Sequence, residues 1–154
     1  MRRKIVGVIG GHDCSEKVEQ LAHVLGHKLA KVVGFLVSGG LSGTMKAVCF
    51  GFKNAGGTTI GIIPGYIKED ANTYVDLVIP SGMGLARNVL VVSSADVVVA
   101  LPGESGTLSE IAYCLQLGIP VISLNSWDIK GVIKAKTVDQ AVAKVKNILR
   151  GIDR

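Results

Sequence analysis

The feature that most constrains the fold is an alternation of short, β-branched apolar runs with longer segments of helical periodicity. Residues 4–9, 58–63 and 96–101 are runs of this kind, and each is followed directly by a glycine or a proline. Strands buried on both faces have this composition, whereas the segments between them repeat apolar residues at spacings of three and four. The alternation predicts an α/β fold: a Rossmann-like, doubly wound parallel sheet of 6–7 strands with helices on both faces, in three α/β/α layers.

The composition is that of a globular chain, and we predict a single domain over residues 1–154. Hydrophobic residues make up 48% of the chain and charged residues 19%, and no linker or repeat interrupts the pattern. No apolar run approaches the ~18 residues that a membrane span needs. The basic start of the chain is followed by only a short apolar stretch, residues 5–9, which is too short for a signal peptide. We therefore expect a cytoplasmic protein without a membrane partner.

The formal net charge of +5 does not by itself indicate a nucleic-acid-binding protein. The basic residues are scattered, and aromatic residues, which would stack on bases, make up only 5% of the chain. Three cysteines without C-x-x-C spacing argue against a disulfide framework, and Cys49 and Cys114 are expected in the core. His23 and His27 lie four residues apart but lack a third ligand, so no metal site is predicted.

Three glycine-containing turns each follow a predicted strand, at residues 10–11, 38–40 and 102–107. Because the strands of a parallel sheet all end at the same edge, these turns should gather where doubly wound folds bind ligands. Free N–H groups at the following helix starts attract anions. We therefore predict a site for a phosphate group or a nucleotide. The turn residues predicted to bind it are Gly10, Gly11, Ser38, Gly39, Gly40, Gly43, Pro102, Gly103, Gly106 and Thr107.

The spacing of these glycines excludes two common nucleotide-binding motifs. Residues 39–43 read Gly-Gly-Leu-Ser-Gly, which is not the G-x-G-x-x-G fingerprint of dinucleotide-binding folds. The next strand ends at Ile63-Pro64 without the acidic residue that would bind a ribose. No G-x-x-x-x-G-K-[ST] sequence is present either, so the chain is not a P-loop protein.

Two charged residues are candidates for the chemistry of this site. Thr107 and Glu110 have the spacing of a capping box, which would close a helix without any further role. In the functional interpretation Glu110 is instead a general base or stabilises positive charge at a sugar carbon. Arg87 lies in the otherwise apolar segment 85–94, predicted to be a buried helix, so its guanidinium needs an anionic partner. Asn88 beside it offers a hydrogen bond to the same ligand.

In chain order these motifs resemble those of the LOG (Lonely Guy) superfamily, formerly described as lysine decarboxylase-like. They are Ser-Gly-Gly-x-x-Gly at 38–43, Ile-Gly-Ile-Ile-Pro at 60–64, Ala-Arg-Asn at 86–88 and Pro-Gly-x-x-Gly-Thr-x-x-Glu at 102–110. The resemblance covers almost the whole chain and implies a Rossmann-like fold, a homo-oligomer (dimer or tetramer) and a small phosphorylated ligand. Some members are phosphoribohydrolases of nucleoside monophosphates. By that resemblance residues 103–107 would hold phosphate, Glu110 would act on the glycosidic carbon or its water, and Arg87 would position the substrate.

The chain departs from those enzymes at two positions. Glu104 occupies the place of the second glycine in Pro-Gly-Gly, and Asn88 follows Arg87 where the enzymes tend to have a lysine. The local sequence around both positions more closely resembles the branch that includes molybdenum cofactor carrier proteins. Those proteins bind a pterin phosphate without converting it. Two functions stay open: hydrolysis of the N-glycosidic bond of a nucleoside 5'-monophosphate, or non-catalytic carriage or sensing of a phosphorylated cofactor such as molybdenum cofactor.

Overall fold

A computed structural model describes residues 2–152, in which strands and helices alternate. The strands are β1 (Ile5–Ile9), β2 (Phe35–Ser38), β3 (Thr58–Ile63), β4 (Leu77–Pro80), β5 (Val97–Ala100), β6 (Val121–Leu124) and β7 (Ile133–Ala135). The helices are α1 (Glu16–Leu29), α2 (Thr44–Asn54), α3 (Arg87–Ser93), α4 (Ser105–Leu117) and α5 (Val138–Ile152). Two 3₁₀ turns, Lys68–Asp70 and Gly84–Ala86, lie in the connections.

The strands form one sheet in the order β4-β3-β2-β1-β5-β6-β7, and every pair in it is parallel. The chain first moves outward from β1 to β4 and then returns to place β5 on the other side of β1. The topological switch point therefore lies between the ends of β1 and β5, where doubly wound folds open a crevice. The predicted fold class is confirmed, with seven strands in the described part of the chain.

Each face of the sheet has its own apolar core. Val6 and Val8 of β1 point to one face and pack with α1, α2 and α5. Ile9 points to the other face, with Val98 of β5, and packs with α3 and α4. The period-2 alternation of strand side chains thus divides one apolar strand between two helix layers. Cys49 and Cys114 lie one in each core, as predicted.

The ends of the outer helices depend on local capping. Ser15 caps α1 by accepting a hydrogen bond from the Val18 N–H. Before α5, the Thr137 hydroxyl accepts the Gln140 N–H, and Gln140 Oε1 accepts the Lys136 N–H. The apolar spacing of the sequence would carry α1 on to Gly34, but the helix ends at Leu29. The Lys31 N–H bonds to the Lys28 carbonyl, three residues back, and this tighter turn stops the helix. No helix within residues 2–152 is long and apolar enough to cross a membrane.

The prediction that residues 85–94 form one buried helix is wrong at its start. Gly84–Ala86 is a 3₁₀ turn, and α3 begins only at Arg87. Leu85 is 85% exposed, because it lies beyond the strand ends, where no helix layer covers it. Arg87 and Asn88, by contrast, are buried, as are Val91 and Val92 further along the segment.

Helices α1 and α2 pack closely because glycines face each other across their interface. A Cβ atom added to Gly26 would lie 2.2 Å from the carbonyl oxygen of Val48, and one added to Gly51 would lie 2.0 Å from that of His23. Any larger residue at these positions would have to push the two backbones apart.

We expect Gly51→Ala to lower the free energy of unfolding by about 1–3 kcal/mol through overpacking, even though alanine is the better helix former. Urea denaturation measures the change. Gly151→Ala is the matched control, because a Cβ there meets no atom within 4 Å. The control should leave stability unchanged or slightly raised. Equal stability of the two variants would contradict the close-packing explanation.

Candidate functional site

A cleft of about 480 Å³ lies at the C-terminal edge of the sheet, across the switch point between β1 and β5. The turns that follow β1, β2 and β5 all contribute residues to this cleft, so the three glycine-containing turns meet at one edge of the sheet as predicted. The predicted site residues that line this cleft are Gly10, Gly11, Gly39, Arg87, Asn88, Gly106, Thr107 and Glu110.

Backbone hydrogen bonds hold the three turns against one another. The Gly11 N–H donates to the Pro102 carbonyl at 3.1 Å, which joins the turns after β1 and β5. The Thr44 N–H at the start of α2 donates to the Gly11 carbonyl at 3.0 Å, which adds the turn after β2. The walls of the cleft are therefore backbone, fixed by bonds that do not depend on a ligand.

The other predicted residues, Ser38, Gly40, Gly43, Pro102 and Gly103, support the walls and do not line the cleft. The Ser38 hydroxyl accepts the Gly40 N–H at 3.1 Å. Gly40 and Gly43 have φ values of +74° and +63°, where a side chain would be strained. A Cβ on Gly103 would lie 2.0 Å from the Thr107 hydroxyl oxygen. Gly40 and Gly43 are thus needed for the backbone conformation of the turn, and Gly103 for the close approach of Thr107.

Helix α4 directs its N-terminus at the cleft. The first hydrogen bond into the helix is from the Leu108 N–H to the Glu104 carbonyl. The N–H groups of Ser105, Gly106 and Thr107 have no backbone acceptor within residues 2–152, and all three residues line the cleft. Free N–H groups and the helix dipole together favour an anion at this point.

Arg87 is the buried cation of the cleft, only 8% exposed. Its Nη2 donates to the Gly39 carbonyl at 3.4 Å, and its Nη1 donates to Asn88 Oδ1. Asn88 Nδ2 in turn donates to the Ser109 hydroxyl of α4 at 3.4 Å. The buried Nε of Arg87 has no hydrogen-bond partner in the described part of the chain. The guanidinium is thus held in place while retaining an unused donor.

Glu110 faces Arg87 from α4 and is 7% exposed. Burial raises the pKa of its carboxyl to about 8, and the Arg87 charge only partly opposes this. Burial also lowers the pKa of Arg87, which the Glu110 charge opposes. At neutral pH Glu110 is therefore mostly protonated and can donate a hydrogen bond. Because a protonated carboxyl does not neutralise the guanidinium, the positive charge of Arg87 is available to a ligand.

The capping-box interpretation of Thr107 and Glu110 is wrong. Glu104 occupies the N-cap position of α4, and no side chain makes a capping hydrogen bond there. Thr107 is the third residue of the helix and Glu110 the sixth, so both side chains lie past the positions that cap a helix. Glu110 instead points into the cleft, where its buried carboxyl is available for a ligand.

Acidic groups lie at the rim of the cleft. Glu104 is exposed and lines it, and Asp13 lines it as well, paired with His12 at 3.3 Å. The Glu104 carboxylate, which replaces a glycine in the turn after β5, therefore lies at the site itself. An exposed charge is well screened by water, so it weakens anion binding without preventing it.

Several residues around the cleft were not predicted from the sequence. The indole N–H of Trp127, in the loop after β6, donates to the Gly103 carbonyl at 3.0 Å. Asn72 holds the turn after β2 through the Gly40 and Leu41 carbonyls. Met45 and Leu85 supply apolar walls. The position of Trp127 in a loop at this edge of the sheet was a signal from which its role could have been predicted. The contacts of Asn72 could not be predicted, because they join segments far apart in sequence.

The described residues contain no group of three or more His, Cys, Asp or Glu side chains placed to hold a metal ion. Burial raises the pKa of Cys49 to about 11 and that of Cys114 to about 12, so both thiols stay protonated and unreactive. The cleft is thus built from backbone N–H groups, one buried cation and one buried carboxyl.

The fold and the cleft define a Rossmann-like α/β protein with its crevice at the switch point. The chain belongs to the SLOG cluster4 family, whose model matches residues 3–150. A molybdenum cofactor binding protein from Rippkaea orientalis is 34% identical, with a TM-score of 0.90 over 97% of this chain and 99% of that one. The molybdenum cofactor carrier protein of Chlamydomonas reinhardtii is 34% identical, with a TM-score of 0.88 over the same shares.

The chain is also similar to a LOG protein. A probable cytokinin riboside 5'-monophosphate phosphoribohydrolase of Oryza sativa subsp. japonica is 34% identical over 127 residues, which cover 77% of this chain. The match spans 56% of the rice protein. The predicted resemblance to the LOG superfamily, in the branch of the molybdenum cofactor carriers, is confirmed.

The raised pKa of Glu110 makes a prediction for stability. Between pH 4.5 and about pH 8 the native state keeps a proton that the unfolded state releases, so the free energy of unfolding falls as pH rises through this window. Glu110→Gln removes this contribution. We expect the variant to gain stability relative to the wild type from pH 5 to pH 8, and the difference to level off above that.

Thermal melts at pH 5, 6.5 and 8.5 measure this difference. Glu19→Gln, at an exposed position of α1, is the control and should show no comparable trend. A difference between Glu110→Gln and the wild type that is independent of pH would contradict the protonated state of Glu110.

Proposed function

We propose that this protein is a non-catalytic carrier of a small phosphorylated cofactor of the molybdenum cofactor type, bound in the cleft at the switch point. The observation that carries the proposal is the buried guanidinium of Arg87, whose Nε has no partner, beside the free N–H groups at the start of α4. A buried donor without an acceptor is costly, and an anionic ligand would satisfy it.

The residues of the cleft fit such a ligand. The cleft has a volume of about 480 Å³, which lies within the usual range for sites that bind cofactor-sized molecules. A phosphate would accept hydrogen bonds from the N–H groups of Gly106 and Thr107, and the Arg87 guanidinium would neutralise its charge. The protonated carboxyl of Glu110 would donate a hydrogen bond to a polar atom of the ligand. Met45 and Leu85 supply the apolar surface that a flat ring requires.

The solved relatives support this choice over hydrolysis. Two of the structures that resemble the chain over nearly their full lengths are, by name, a molybdenum cofactor binding protein and a molybdenum cofactor carrier protein. Glu104 at the rim also suits a carrier, because an exposed carboxylate near the phosphate lowers affinity and so eases release to an acceptor. Sensing of the same cofactor would use the same contacts.

A second candidate is hydrolysis of the N-glycosidic bond of a nucleoside 5'-monophosphate. It is favoured by Glu110, a buried carboxyl that is mostly protonated at neutral pH and lies inside the cleft. Such a group can act as a general acid toward the departing base. The similarity to the rice phosphoribohydrolase supports this alternative.

We also propose that the protein is a cytoplasmic homo-oligomer, a dimer or a tetramer. Apolar side chains are exposed around the edge strand β4 and beside the cleft, including Tyr66, Leu77 and Leu85 at 80%, 53% and 85% exposure. Exposed apolar groups collected on one side favour association with another copy. Light scattering on the purified protein determines the number of copies.

The carrier proposal predicts stoichiometric binding of molybdenum cofactor under anaerobic conditions, measured as retained pterin and molybdenum after gel filtration. Arg87→Ala should weaken the affinity by about 1.5–3 kcal/mol, the usual contribution of a hydrogen bond to a charged group. Lys136→Ala, at an exposed position away from the cleft, should bind like the wild type. Absence of binding by the wild type would reject the carrier, and unchanged affinity in Arg87→Ala would remove that residue from the site.

The two candidate functions differ in their prediction for AMP. A carrier releases no free adenine, whereas a phosphoribohydrolase releases adenine and ribose 5-phosphate in equal amounts. Chromatography after long incubation with each common nucleoside monophosphate separates the two. We expect no release by either the wild type or Glu110→Gln. Release by the wild type that Glu110→Gln abolishes would establish the hydrolase instead.

A further inference from the structure

A second concavity, of about 340 Å³, lies at the opposite edge of the sheet from the cleft. Its walls are the segment that leads into β1, the turn between α1 and β2, and the last turns of α5. The five residues of β1 separate it from the cleft, a distance of roughly 16 Å at the usual rise per strand residue. The two sites therefore share no lining residue and can be tested separately.

The lining of this concavity, named here the basic cavity, is positively charged. Arg3, Lys31, Lys146 and Arg150 line it, and within residues 2–152 none of the four has an ion pair. Among the lining residues that belong to the described part of the chain, none is acidic.

The neighbouring basic residues behave differently. Arg2 pairs with Asp96 at 2.6 Å and Lys28 pairs with Asp139 at 2.5 Å, so nearby cations do find carboxylates. Within residues 2–152, the four lining residues Arg3, Lys31, Lys146 and Arg150 differ from these neighbours because none of them has an ion pair.

Helix dipoles do not account for this charge. Helices α1 and α5 both end beside the cavity, and each C-terminus carries roughly half a negative charge that attracts cations. Two such ends supply about one negative charge, against four unpaired cations, so an excess of about three positive charges remains.

The spacing of two of these cations opposes helix stability. Lys146 and Arg150 lie four residues apart on the same face of α5, where like charges repel. The floor between them is apolar and well packed, since Val33 and Leu149 are 7% and 6% exposed. A bound anion would relieve the repulsion between Lys146 and Arg150.

We propose that the basic cavity binds a small anion that carries a chain of phosphates, such as a triphosphate or short polyphosphate group. Such a group carries three to four negative charges, which matches the excess positive charge. The cavity volume falls within the range of small-ligand sites, and its concave shape suits a compact ligand better than an extended strand of nucleic acid.

The test uses sodium tripolyphosphate and calorimetry at moderate salt, with the full chain in the Arg87→Ala background, which weakens anion binding in the cleft. In that background Lys31→Glu with Lys146→Glu should lower the affinity at least tenfold. The control pair, Lys68→Glu with Lys136→Glu, makes the same change in charge at exposed positions that line neither cavity. The control should bind like the Arg87→Ala parent. Circular dichroism confirms that every variant is folded.

Each other outcome overturns the proposal. No binding in the Arg87→Ala background would mean that any tripolyphosphate held by the wild type occupies the cleft. Equal loss in the control pair would mean a non-specific response to net charge. Binding of a twelve-nucleotide single strand at Lys31 and Lys146, without binding of tripolyphosphate, would assign the surface to nucleic acid. None of these results affects the proposed cofactor site, which Arg87→Ala tests with molybdenum cofactor in the wild-type background.

Discussion

The parallel pairing of β1 with β5 is the constraint on which the site depends. Buried strands must pair their backbone groups, and here the pairing continues past the strands, with the Leu101 N–H on the Ile9 carbonyl and the Gly11 N–H on the Pro102 carbonyl. Two turns from distant parts of the chain are thereby fixed side by side. Because the connections from β1 and β5 lead in opposite directions, the space between the turns stays open as a cleft.

The charges inside that cleft are arranged at some cost to the protein. Burial moves the pKa of Glu110 up and that of Arg87 down, so both groups shift toward their neutral forms, while each favours the charged form of the other. The protein leaves this pair without full hydrogen bonding instead of filling the space with apolar side chains. Incomplete satisfaction of buried polar groups is common where a ligand completes the network.

The positive net charge of the chain is distributed unevenly between the two edges of the sheet. The cleft has one buried cation and acidic groups at its rim, which favours an anion of limited charge held by directed hydrogen bonds. The basic cavity has four exposed cations and, within residues 2–152, no lining carboxylate, which favours attraction by charge with little directional selection. The positions of lysine and arginine along the chain do not reveal this division, because residues 3, 31, 146 and 150 come together only in the fold.

The sequence by itself determined the α/β alternation and the glycine turns, because these follow from local periodicity and backbone preference. It also indicated Arg87 and Glu110 as chemically important. Only the tertiary structure decided that Glu110 lies beside Arg87 and does not cap α4, that Leu85 is exposed, and that Trp127 and Asn72 hold the turns. Those outcomes depend on contacts between distant segments and on burial, and burial sets whether a carboxyl is charged. Neither the contacts between distant segments nor the burial of a side chain can be read from a local stretch of the chain.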